Sequence, residues 1–142
     1  MNIMKTVYKI PVRYLFLTFL ICSATIISCK KNEDAKLPVI AFKTGGNYTS
    51  SDASVNTSDL IKVGTTSDKN EADLKTFKIY SSVGGGAFSI KKTYYLTPDE
   101  KDHYENEYQF SPKNQYNFET WKFEITDANG NVNSVSFKLT VH

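Results

Sequence analysis

Cysteine and histidine are scarce in this chain. It has two of each, Cys22, Cys29, His103 and His142, in 142 residues. Two thiols cannot build a disulfide framework or a zinc ribbon, and no C-x-x-C pair is present. The G-x-S-x-G, H-E-x-x-H and Walker motifs are also missing, which removes the common serine-hydrolase, zincin and nucleotide-triphosphatase signatures. Charge of one sign is lacking too: 17 Lys and Arg stand against 15 Asp and Glu. Long apolar runs are absent. The longest, residues 15–27, has 13 positions, and a spanning helix needs about 20.

That run sits in a recognisable setting. Residues 1–14 carry Lys5, Lys9 and Arg13 and no acid, and Ser28-Cys29 is followed at once by KKNED. A basic segment, a short apolar segment and a small residue before a polar shift form a secretory signal peptide over residues 1–28. The cut site Ile26-Ile27-Ser28-Cys29 resembles a lipobox, and SCKKNED resembles the cleavage region of Bacteroidetes-type lipoproteins. The resemblance implies a lipid-modified Cys29 as the new N-terminus. It also implies outer-membrane anchoring, with the acidic Asn32-Glu33-Asp34 directing display to the exterior. Plain cleavage to a periplasmic or secreted protein is the alternative. Two or three acyl chains hold a protein far more firmly than one, at about 0.8 kcal/mol per buried methylene.

Processing changes the inventory. Cys22 leaves, so Cys29 is the only thiol and no internal disulfide can form. Three of the 17 basic residues and none of the acids leave as well, so 14 basic groups face 15 acidic ones. Nucleic acid is therefore not expected as a partner, since it needs a basic face.

Residues 29–37 read as the lipidated Cys and a polar tether, and 38–142 as one domain. Its apolar period is two. Trp121, Phe123 and Ile125 alternate with Lys122, Glu124 and Thr126, and Val135, Phe137, Leu139 and Val141 with Ser136, Lys138 and Thr140. Phe77 with Ile79, Phe88 with Ile90, Ile61 with Val63 and Ile40 with Phe42 follow the same rule. Tyr104, Tyr108 and Phe110 share a parity that Asn106 interrupts. Half-buried antiparallel strands require such rows. Gly84-Gly85-Gly86 and Asp127-Ala-Asn-Gly-Asn131 are hairpin turns by composition, and Thr97–Asp102 and Ser111–Asn114 are Pro-led loops. Glu71–Lys75 is the one stretch that could form a helical turn. About seven strands predict an all-β, antiparallel Ig-like β-sandwich.

The last third, Trp121-Lys-Phe-Glu-Ile-Thr-Asp-Ala-Asn-Gly-Asn131 with Val135-Ser-Phe-Lys-Leu-Thr-Val141, resembles bacterial Ig-like and PKD-like surface modules. That resemblance implies fold, and the fold hosts adhesion, glycan binding and spacing alike.

Candidate sites are few. Four of the 19 aromatics fall in residues 1–28, leaving 15. Tyr48, Tyr80, Tyr94 and Tyr95 do not fit the core parity, and sugar rings stack on exposed aromatic faces. They are the ligand-binding candidates. Tyr94 and Tyr95 are adjacent, so a strand exposes at least one. Asp127, Asn129 and Asn131 have the alternate spacing of a calcium loop, but Val132 replaces its glycine and Lys138 its bidentate glutamate. A turn whose side chains bond their own backbone is the simpler reading. Asp99, Glu100 and Asp102 lack ligand spacing. His103, in an acidic loop, reads as solvated. No cofactor is expected. The sequence thus points to a non-enzymatic, lipid-anchored module that binds glycan or a surface protein. The alternatives are a structural spacer and, remotely, a hydrolase accessory subunit.

Overall fold

The computed structural model describes residues 36–142. The expected signal peptide, Cys29 and most of the expected tether lie outside the described residues. Alternation dictates the architecture. In β7 (Phe118–Asp127), Trp121, Phe123 and Ile125 are buried while Lys122 and Glu124 point outward. β7 pairs antiparallel with β8 (Val132–Val141) through the Asp127–Asn131 turn. It also pairs with β4 (Leu74–Val83), placing Phe77 and Ile79 opposite Ile125 and Phe123. The second layer is β1 (Val39–Phe42), β3 (Ile61–Asp68) and β6 (His103–Phe110), all antiparallel.

With β2 at Ala53–Val55 and β5 at Ser89–Tyr95, the five-stranded sheet has the order β2-β8-β7-β4-β5, and the three-stranded one β1-β3-β6. The two layers enclose a core of Ile40, Ile61, Val63, Leu74, Phe77, Ile79, Tyr104 and the inner rows of β7 and β8. Each fully buried aliphatic or aromatic side chain contributes roughly 1.5–3 kcal/mol. The Gly84–Gly86 and Asp127–Asn131 turns close hairpins, while β1→β2, β2→β3, β3→β4, β5→β6 and β6→β7 cross between sheets. The fold is an Ig-like β-sandwich.

The described residues form eight strands, in line with the expected seven or so; β2 (Ala53–Val55) is a short strand parallel to β8. Three expectations need correction. Glu71–Lys75 is not helical; β4 already begins at Leu74. The helical turn is a 3-10 turn at Pro98–Glu100, where the Glu100 carboxylate accepts the N–H and hydroxyl of Thr97, both at 2.8 Å. The third concerns β5 (Ser89–Tyr95): Phe88 and Ile90 are 47% and 57% exposed and do not enter the core. Tyr80 pairs with Ile90 but Ile79 pairs with Lys92, so Lys91 is an extra residue. One extra residue reverses the face that follows it. Ile90 therefore lies outside with Tyr80, and Tyr94 lies inside with Phe77.

The core also holds polar groups. Thr65, Ser67 and Asn106 point inward from paired positions of β3 and β6. Thr65 Oγ1, Ser67 Oγ and Asn106 Oδ1 have no hydrogen-bond partner. The Asn106 amide donates to the Tyr104 hydroxyl at 3.2 Å, which explains why Asn106 can occupy the inner row.

Candidate functional site

At one end of the sandwich the inner rows of β6 and β7 line a cleft of about 370 Å³. β6 supplies Tyr108 and Phe110, β7 supplies Glu119 and Trp121, and the loop after β6 supplies Ser111 and Lys113. Ser81 of β4 and the extra residue Lys91 complete the lining. The volume lies in the small-molecule range of about 300–1,000 Å³.

The aromatic wall is one unit. Phe110 stacks on Trp121 with centroids 3.7 Å apart, and Tyr108 lies 5.8 Å and 5.9 Å from Phe110 and Trp121. Trp121 is buried, whereas Tyr108 and Phe110 are half-buried, so they present the ring surface a ligand would meet.

Glu119 continues the inner row of Trp121, Phe123 and Ile125 toward the N-terminus of β7. It is 4% exposed. Its Oε1 accepts the backbone N–H groups of Lys113 and Asn114 at 3.0 and 3.3 Å, and the Asn114 side-chain amide. Its Oε2 accepts the indole N–H of Trp121 at 3.0 Å. Burial opposes the charge. The four donors outweigh it and hold the carboxyl below the usual carboxylate range. The charge is thereby spent on fixing the 111–114 loop. Lys91 and Lys113 are exposed, and among the described residues neither has a carboxylate within ion-pair distance.

A second, more open hollow of about 380 Å³ lies on the other side of the same loop. Tyr116, Asn117, Phe118, Lys138 and His142 line it. Tyr116 is 86% exposed and has φ 61°, which a bulky side chain rarely adopts. The backbone holds it there, because its N–H donates to Val141 O at 2.9 Å while Val141 N–H donates to Asn117 O at 2.8 Å.

The four tyrosines singled out from the sequence do not form one patch. Tyr94 turns inward and packs near Phe77 and Tyr104, at 6.1 and 6.4 Å. Its neighbour Tyr95 is 81% exposed. Tyr80 lies on the outer face of the five-stranded sheet. Its hydroxyl donates to Glu124 at 2.8 Å, and Lys122 Nζ sits 4.2 Å above its ring. Burial, then the Glu124 bond and charge, push its pKa up to about 12. Tyr48 lies on the outer face of the three-stranded sheet. Its hydroxyl donates to Glu107 and Lys62 Nζ lies 4.7 Å from its ring. The ring rests against Gly64, where an added Cβ would come within 2.9 Å of it.

Asp127 is 1% exposed and fully occupied. One oxygen accepts the N–H groups of Asn129 and Asn131 at 2.9 and 2.8 Å, and the other accepts the Asn131 amide at 2.9 Å. The carboxylate serves the hairpin, and the Asn131 side chain donates rather than offering its oxygen to an ion. No group of three or more His, Cys, Asp or Glu capable of holding a metal occurs among the described residues.

His103 opens β6 instead of lying in a loop. Its Nδ1 is 2.7 Å from Asp68 and its Nε2 3.5 Å from Glu105. The Asp68 hydrogen bond raises its pKa above the ordinary value.

Sequence reasoning missed Glu119, Lys91, Lys113 and Tyr116. Extending the inner row of β7 back by one position finds Glu119. The others depend on the bulge and on the path of the loop.

No family model matches the sequence, and no curated protein matches it. Among solved structures, the chain is similar to one in a crystal structure of the complex between zinc 2-glycoprotein and prolactin inducible protein from human seminal plasma. The TM-score is 0.45 at 13% identity, covering 78% of this chain and 99% of that one.

Proposed function

We propose that this chain is a lipid-anchored cell-envelope protein whose β-sandwich is a non-enzymatic binding module for a glycan or protein ligand. The cleft carries this reading. It joins a half-buried aromatic surface, two exposed ammonium groups and a loop fixed from below by Glu119, which is how binding sites combine apolar walls with a few placed polar groups. Trp121 is the single tryptophan of the chain and lines the cleft. Its emission therefore reports occupancy directly. Titration of the detergent-solubilised protein with hits from a glycan array should shift that emission saturably. Array binding with Trp121 unmoved would place the ligand elsewhere, and no binding to glycans or envelope proteins would end the reading.

Anchoring at Cys29 rests on the lipobox resemblance. Cys29→Ser should move the protein from the membrane to the soluble fraction, and unchanged membrane association would refute the anchor.

The outer face of the three-stranded sheet favours the spacer reading instead. Lys43–Glu105 at 2.7 Å and Lys62–Glu107 at 2.9 Å cover it with paired charge, and His103 bonds Asp68 at 2.7 Å beside them. Such a face suits a solvated wall and leaves binding to the end of the sandwich.

A further inference from the structure

We propose that the cleft takes an acidic sugar, a pyranose ring bearing a carboxylate, as in uronic acids. The inference rests on the binding-module reading above and names its ligand class. The ligand must meet the charges the cleft presents. Lys91 and Lys113 offer two exposed ammonium groups. Glu119, the one acid in the lining, has both oxygens filled by four donors and faces inward. Its charge is held by dipoles while the two lysines stay unneutralised, so a carboxylate entering the cleft meets net positive charge.

The body of the ligand must be a compact ring. Tyr108 and Phe110 give a ring-sized apolar surface over Trp121, and the hydroxyls of Ser81 and Ser111 line the same space. A hydroxylated ring with one carboxylate uses all three features. An acidic peptide is disfavoured by the same geometry. A glutamate-rich chain would meet the two lysines but brings no ring to the Tyr108–Phe110 surface.

The test uses the full chain, solubilised in detergent, with Trp121 emission as the readout. The probes are oligogalacturonate, the neutral galactose oligomer of the same length and a glutamate-rich peptide. Oligogalacturonate should saturate the signal. The neutral oligomer, and oligogalacturonate with Lys91→Gln or Lys113→Gln, should bind roughly tenfold more weakly. Both lysines are exposed, and unchanged melting temperatures would show that the variants fold. Equal binding of neutral and acidic oligomers, unaffected by the lysine variants, would overturn the acidic-sugar inference and leave a glycan site standing. Saturation by the peptide and not by the sugar would overturn it in favour of a protein ligand. No response to any probe would overturn both the inference and the choice of this cleft.

Discussion

The indole N–H of Trp121 donates to Glu119 Oε2 at 3.0 Å, joining two residues of the inner row of β7. The same carboxylate holds the loop that walls the cleft. Strand, tryptophan and loop are therefore tied by a single buried charge. An amide cannot replace it, because its NH2 would face donors. Glu119→Gln should destabilise the fold by about 1.5–3 kcal/mol, the range for bonds to a charged group. Urea unfolding followed by Trp121 emission measures it, with a red-shifted folded spectrum expected.

Acid should act through the same group. The folded protein holds the Glu119 carboxyl below its ordinary value of 4.5. Its contribution is thus present above about that pH and is lost as pH falls through the lowered value. Glu124 is lowered despite its burial, through bonds from Lys122 and Tyr80. Glu105, Glu107 and Asp102 are lowered by their lysine and tyrosine partners. Stability measured from pH 6 downward should fall below about 4.5, and Glu119→Gln should flatten part of that slope. Parallel curves for the two proteins would contradict this account of Glu119.

Thr65 Oγ1 is buried without a partner. Thr65→Val keeps the shape and removes the unmatched hydroxyl, so it should raise stability by about 1 kcal/mol. A lower melting temperature would mean that the hydroxyl has a partner in solution, such as a buried water.

Ile79 and Ile90 are chemically identical and sit on neighbouring strands, yet the bulge at Lys91 separates their fates. Ile79 is fully buried and Ile90 is 57% exposed. Ile79→Ala should cost about 2–5 kcal/mol, and Ile90→Thr within about 0.5 kcal/mol. Similar losses at both sites would show that the row beginning at Phe88 reaches the core after all.

Tyr80 should ionise near 12. Because the folded pKa lies above the ordinary value of 10.0, the associated stability is complete below pH 10 and is lost as pH rises toward 12. Absorbance titration near the phenolate band checks this. Glu124→Gln should lower the midpoint only in part, since burial is the larger cause.

The rows of β7 and β8 were readable because one face meets the core and the other meets water along their whole length. The bulge was not, since Phe88 and Ile90 alternate as a core row would and nothing local marks Lys91 as extra. β2 escaped because three residues, Ala-Ser-Val, carry too little pattern. The candidate site was less legible than the fold. Adjacency on a strand required at least one of Tyr94 and Tyr95 to be exposed, but which one faces outward depends on that bulge. The cleft assembles Lys91, Lys113 and Glu119 from a strand edge, a loop and an inner row. That assembly exists only in three dimensions.

β2 runs parallel to β8. The contact extends past the strand end, where His142 N–H donates to Val55 O at 2.9 Å and Ser54 Oγ lies 2.8 Å from His142 Nε2. In a parallel pair, a pull on β2 from its N-terminal side and on β8 from its C-terminal side acts in opposite directions along one axis. The ladder is then loaded in shear, with all its bonds sharing the force, instead of peeling one bond at a time. The shortest strand of the sandwich is thereby placed to act as its mechanical latch.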